Sequence, residues 1–116
     1  MSDRLEMLDG STWQAFVASP LAVLMLGKSD CAACAQWTDE LCQLLASDDR
    51  WRNVRFGKLL LDQPGLVSFK RANPWLAEVD VLPFNVIYVN DEPVKRFPGG
   101  GADRLTTRLE QLVAAG

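Results

Sequence analysis

The residues best suited to covalent chemistry are Cys31 and Cys34, which sit in Lys28-Ser-Asp-Cys-Ala-Ala-Cys34 with Ala32 and Ala33 between them. Two thiols three positions apart can interconvert between a dithiol and a disulfide, and that spacing is close to one helical turn. An apolar run at residues 21–26 precedes the pair, and a stretch with helical spacing, residues 35–48, follows it. At such a strand-to-helix switch Cys31 lies at the helix N-terminus, where unpaired N–H groups and the helix dipole favour the thiolate. Cys34, one turn in, is expected to be more buried and harder to ionise, which makes Cys31 the nucleophile. Asp30 is expected to modulate the pair in two ways. It can cap the free N–H groups of the helix, and its charge disfavours a second negative charge on Cys31. The bland alternative is two small helix residues that happen to be cysteines.

Composition narrows the chemistry. The 116 residues include no histidine, which removes the commonest metal ligand and general base. Cys42, the third cysteine, lies eight positions after Cys34, ~12 Å along the same helix. It is too far for a disulfide or for a tetrahedral metal site shared with the pair, and reads as a core thiol. A net charge of −3 gives no basic footprint for nucleic acid or anionic membranes. No apolar run approaches the ~18 residues of a membrane-spanning helix. The N-terminal residues lack the basic-then-apolar pattern of an export signal, and an odd cysteine count with one close pair fits a reducing compartment. These features point to a cytoplasmic monomer, one domain over residues 1–116, with 48% hydrophobic residues to build a core.

Hydrophobic periodicity sets out the elements that must hold the pair. Residues 5–8 read as a short edge strand, and Ser11 or Thr12 caps a helix carrying Trp13, Phe16 and Val17, stopped at Pro20. Residues 21–26 show no polar alternation, as in a central strand covered on both faces. A helix over 31–46 turns Cys34, Trp37, Leu41 and Leu44 or Leu45 inward, and residues 53–61 form a second central strand. Residues 66–72 are helical up to Asn73-Pro74, and 74–79 add a turn. Residues 85–89 and 94–97 flank Asn90-Asp-Glu-Pro93 as a hairpin, and Pro98-Gly-Gly-Gly101 breaks the chain before a last helix over 103–114. In that helix Leu105, Leu109, Leu112 and Val113 are expected inward. Order β-α-β-α-β-α-β-β-α implies an α/β fold, with a central mixed sheet of four to five strands flanked by four helices.

Four motifs in order make this chain resemble the thioredoxin family over most of its length. They are the Cys-x-x-Cys beside a βαβ pattern, Gly57-Lys-Leu-Leu-Leu-Asp-Gln-Pro-Gly65, Val81-Leu-Pro-Phe-Asn-Val-Ile-Tyr-Val89, and Asn90-Asp-Glu-Pro-Val-Lys-Arg-Phe-Pro-Gly-Gly100. The resemblance has departures. Asp30 stands where the family has tryptophan, and Ala32-Ala33 where it has Gly-Pro. Met25 falls where the family has a buried acid, which leaves Lys58 as a strand residue reaching solvent. The kinking proline is missing from residues 37–40, and residues 62–83 are several residues longer than in a typical thioredoxin.

What the resemblance implies is a thiol–disulfide oxidoreductase without cofactor or metal. Cys31 would attack a substrate disulfide and Cys34 would resolve the mixed disulfide. Pro83 would be cis, with the backbone of Leu82 pairing with the substrate strand. Ala32, Ala33, Leu82, Phe84, Gly99, Gly100 and Gly101 would surround the thiols as an apolar docking surface. Partners would be protein disulfides and a reducing partner, either a thioredoxin reductase or a small thiol. Trp37, Trp51 and Trp75 read as packing residues, with Trp75 placed to line the site. The departures leave an alternative, a thioredoxin-like binding, accessory or redox-sensing module with weak or no general reductase activity.

Overall fold

The computed structural model describes residues 4–115. In order the chain forms β1 (Leu5–Leu8), α1 (Trp13–Val17), β2 (Ala22–Gly27), α2 (Ala32–Ser47), β3 (Arg55–Leu60), α3 (Val67–Ala72), β4 (Phe84–Val89), β5 (Glu92–Pro98) and α4 (Ala102–Ala115). Two 3-10 turns complete it, at Asp49–Trp51 and Pro74–Glu78, the first of them not foreseen from sequence. The strands make one sheet in the order β1-β3-β2-β4-β5. β1, β3 and β2 run parallel, β4 is antiparallel to β2, and β5 is antiparallel to β4. The mixed sheet expected from the element order is therefore present, with five strands and four helices among the described residues.

All six residues of β2 are buried, which explains the missing polar alternation. Its side chains alternate between two cores. Val23 and Met25 pack with Trp37 and Leu41 of α2 and Leu105 and Leu109 of α4. Ala22, Leu24 and Leu26 pack with Phe16 of α1 and Phe69, on α3, on the other face. Each large buried side chain contributes roughly 1.5–3 kcal/mol of apolar burial. Trp37, Leu41 and Leu45 thus fix α2, and the cysteines at its start, against the sheet.

Three local features depart from expectation. The hairpin turn is tighter than residues 90–93, because Asn90 (φ 50°) and Asp91 (φ 75°) both take left-handed backbone. Pro93 therefore falls inside β5, where an edge strand tolerates a missing N–H. Val113 is 57% exposed rather than inward. Among the described side chains Leu112 makes the last core contact of α4, and Val113 lies ~100° further round the helix. Beyond α3, the buried Asn73 ties the long segment to the sheet. Its amide donates to the Phe69 carbonyl (2.9 Å) and its Oδ1 accepts from the Tyr88 hydroxyl (3.1 Å). Burial is the main cause holding the Tyr88 hydroxyl well above its ordinary pKa.

Candidate active site

The loop that delivers the cysteines is tied down before they begin. The backbone N–H of Ser29 donates to both carboxylate oxygens of Asp62 at 3.3 Å, and its hydroxyl donates to the same group. Those hydrogen bonds hold the Asp62 carboxyl below its ordinary pKa and fasten residues 28–30 to the turn after β3. The next residue with extended backbone is Cys31 (φ −115°, ψ 108°), and it is the N-cap of α2. Its Sγ accepts the Cys34 N–H at 3.2 Å. The cap is therefore Cys31 itself and not Asp30, which lies one residue outside the helix and is exposed. The N–H that Asp30 was expected to occupy is aimed at the sulfur instead.

Cys31 and Cys34 are paired as a disulfide, with Cα atoms 5.2 Å apart. Cys31 is half-buried, whereas Cys34 is 1% exposed. Met25 and Gly27 close over the buried sulfur. A Cβ on Gly27 would meet both Cβ and Sγ of Cys34 at 3.2 Å, so β2 can approach the pair this closely only because that residue has no side chain. Met25 is fully buried, and the buried polar residues among those described are Asn73 and Asn85. Lys58 lies beside Met25 in the sheet and is half-buried. Cys42 is free and half-buried, packed at the margin of the α2 core.

Opposite the helix start, the Leu82–Pro83 peptide bond is cis. Pro83 is buried and its carbonyl accepts the Gly99 N–H at 2.8 Å. Among the described residues, the N–H and C=O of Leu82 have no hydrogen-bond partner. Ala33, Leu82, Pro83, Gly99, Gly100 and Gly101 line one groove of about 470 Å³, with Trp37, Glu40, Gln36 and Val81. Two expected members lie elsewhere. Ala32 is exposed on the first turn of α2 but outside that groove. Phe84 belongs to the opposite face of the sheet, because the pleat alternates it with Asn85, and it packs on Trp75 with ring centroids 6.0 Å apart. Trp75, under the guanidinium of Arg96, therefore does not line the groove.

Asn85 is the organising residue that sequence reading missed. Fully buried on β4, it accepts the Trp37 indole N–H on Oδ1 at 2.8 Å. Its amide donates to the Gly99 carbonyl at 2.6 Å. One side chain thus links α2, β4 and the glycine turn around the groove. The turn itself requires glycine at Gly99 (φ 83°), and a Cβ at Gly100 would come within 3.2 Å of the Trp37 ring. The available signal was a lone asparagine in the apolar strand Phe-Asn-Val-Ile-Tyr-Val.

No protein-family model matches this chain, and no curated protein does. Solved structures do. Thioredoxin f2 from Chlamydomonas reinhardtii superposes with a TM-score of 0.73 at 24% identity, covering 92% of this chain and 94% of its own. The chain has the thioredoxin fold. Oxidised thioredoxin O2 from Arabidopsis thaliana matches at 18% identity and TM-score 0.72, over 97% of this chain and 96% of that one. Mitochondrial thioredoxin 3 from Saccharomyces cerevisiae, also oxidised, matches at 16% identity and TM-score 0.71, over 92% and 94%. The Cys31–Cys34 pair occupies a Cys-x-x-Cys position on this thioredoxin fold. Because the matches include mitochondrial and chloroplast thioredoxins, the thioredoxin fold assigns no compartment. No helix among the described residues is long and apolar enough to cross a membrane.

Proposed function

We propose that this protein is a thiol–disulfide oxidoreductase that reduces protein disulfides, working as a single thioredoxin-like domain and a monomer in the cytoplasm. The observation that carries this reading is the dithiol's placement: Cys31 half-buried at the N-terminus of α2 with the Cys34 N–H on its sulfur, and Cys34 buried one turn below. In the reduced protein that N–H and the helix dipole stabilise the Cys31 thiolate. The thiolate attacks one sulfur of a substrate disulfide, forming a mixed disulfide and releasing the other sulfur as a thiolate. Cys34, once deprotonated, attacks the Cys31 sulfur, forms the Cys31–Cys34 disulfide and releases the second substrate thiol. Two electrons leave the protein and two thiols are made on the substrate. A thioredoxin reductase or a small thiol then returns the pair to the dithiol.

The remaining groups position the substrate. The unpartnered N–H and C=O of Leu82 can pair with an extended substrate segment, with Ala33, Pro83, Gly99 and Gly100 forming the floor beside it. Ala32 borders the pair at the exposed helix start, and Asp30 tunes the Cys31 thiolate by charge rather than by capping.

One observation favours a second reading, that of a binding or redox-sensing module. Met25 and Gly27 surround Cys34, and the buried polar residues described include no carboxylate to accept its proton. Resolution would then be slow. Insulin-disulfide reduction separates the two. A rate well above that of dithiothreitol alone supports the oxidoreductase, whereas no acceleration favours the module.

A further inference from the structure

A second concavity meets the groove at Leu82. It measures about 620 Å³, and Lys28, Leu61, Lys70, Asn73, Leu76 and Leu82 form much of its wall. Most of that wall comes from the long segment between β3 and β4. Leu82 lines both concavities, so a polypeptide laid across its free backbone groups has one flank over the groove and the other over this cavity. The two flanks differ in charge. The groove carries Glu40 as its charged residue, whereas the cavity carries Lys28 and Lys70 against a single carboxylate, Asp80.

Neither lysine forms an ion pair among the described residues. Asp62 stays ionised under the hydrogen bonds of Ser29 and acts on Lys28 through charge, but it does not line the cavity, where Asp80 is the carboxylate. The apolar walls at Leu61, Leu76 and Leu82 reduce screening and focus the field of the two ammonium groups. The chain as a whole carries −3 and repels acidic partners, so any attraction for them has to be local.

We infer that the cavity between Lys28 and Lys70 is a subsite for an acidic side chain flanking the disulfide of a substrate protein. The inference rests on the proposed oxidoreductase function and names the substrate class it prefers. The acidic residue sits on the side of the substrate cysteine that lies away from Glu40, which fixes the direction of the bound segment.

The test uses three synthetic peptides of equal length, each with one disulfide flanked on both sides by Glu, Gln or Lys. The second-order rate of reduction by the fully reduced protein is measured at low and high salt. The Glu peptide is expected to react about three- to tenfold faster than the Gln peptide at low salt, with the ratio shrinking as salt rises. Lys28→Gln and Lys70→Gln each lower that ratio, and together they bring it close to unity. Asp80→Asn raises it, and Lys95→Gln, on β5, leaves it in place. Equal rates for the Glu and Gln peptides, a preference for the Lys peptide, or a ratio that survives the double substitution overturns the subsite and leaves the oxidoreductase reading intact. A protein that reduces none of the three peptides overturns both.

Discussion

Replacing Asn85 by leucine tests whether the groove is held together as described. Leucine fills a similar volume, so the main change is polar. The Trp37 indole N–H, on a side chain 1% exposed, loses its acceptor at 2.8 Å. An orphaned buried donor costs about 1–3 kcal/mol. The Gly99 carbonyl loses a donor at 2.6 Å but belongs to a half-buried turn, so water can replace much of that bond. The sum is a destabilisation of about 2 kcal/mol, a large part of the margin of a small domain. Urea unfolding of the oxidised protein should show a lower midpoint with an unchanged slope, since the surface exposed on unfolding is the same. In a Trp37→Phe background the orphan no longer exists, so the further cost of Asn85→Leu should fall below ~1 kcal/mol, a coupling of at least ~1 kcal/mol. A cost under ~0.5 kcal/mol in the unmodified background, or coupling near zero, would show that this hydrogen bond does not hold α2 to the glycine turn.

Three further outcomes follow from the same geometry. Asp30→Asn should lower the Cys31 thiol pKa by about half a unit, the effect of removing one exposed charge that acts through a high effective dielectric. Thiol alkylation against pH should also place Cys31 in the unchanged protein above the ~7 of a thioredoxin nucleophile; a value well below 7, or no shift in the variant, contradicts the role given to Asp30. Gly27→Ala should destabilise the oxidised protein by roughly 1–3 kcal/mol, because its methyl group meets Cys34 Cβ and Sγ at 3.2 Å; a neutral effect on the thermal midpoint would mean that β2 and α2 separate freely. Asp48 is held at a pKa of about 2, chiefly by the Arg50 guanidinium. A depressed carboxyl pKa stabilises the fold above its ordinary value of 3.8, and that contribution is lost as pH falls toward 2. Asp48→Asn should therefore be less stable than the unchanged protein at pH 7, with the gap closing between pH ~4 and ~2; a gap that persists at pH 2 contradicts the assignment.

The fold was legible wherever one physical signal dominated. An unbroken apolar run at residues 21–26 marked the strand buried on both faces, and the 3.6-residue stripe of Cys34, Trp37, Leu41 and Leu45 marked the helix that carries the pair. The contrast in exposure between Cys31 and Cys34 was legible because a helix start exposes its first residue and buries the one a turn below. Features set by long-range register were not. Asn85 finds its partners at Trp37 and Gly99, which are far from it in sequence, so its local context shows only a polar residue in an apolar strand. The face taken by Phe84 depends on the pairing of β4 with β2, and a shift of one residue would have turned it toward the groove. The helix cap moved from Asp30 to Cys31 because one residue with extended backbone decides which side chain meets the free N–H groups. The lysine-lined cavity is built by a segment whose extra length was visible, while its shape was not.

The most direct measurement of the proposed chemistry is the intact mass of two variants, Cys34→Ser and Cys31→Ser, each reduced and then mixed with insulin under conditions that preserve disulfides. Cys34→Ser should accumulate a covalent adduct with an insulin chain that dithiothreitol releases, because Cys31 attacks and no second thiol resolves it. Cys31→Ser should remain free, because of its two remaining thiols Cys34 is buried beneath Met25 and Gly27 and Cys42 is half-buried against the α2 core, away from the helix start. Equal adducts from the two variants, or adduct only with Cys31→Ser, would contradict attack by Cys31 and resolution by Cys34.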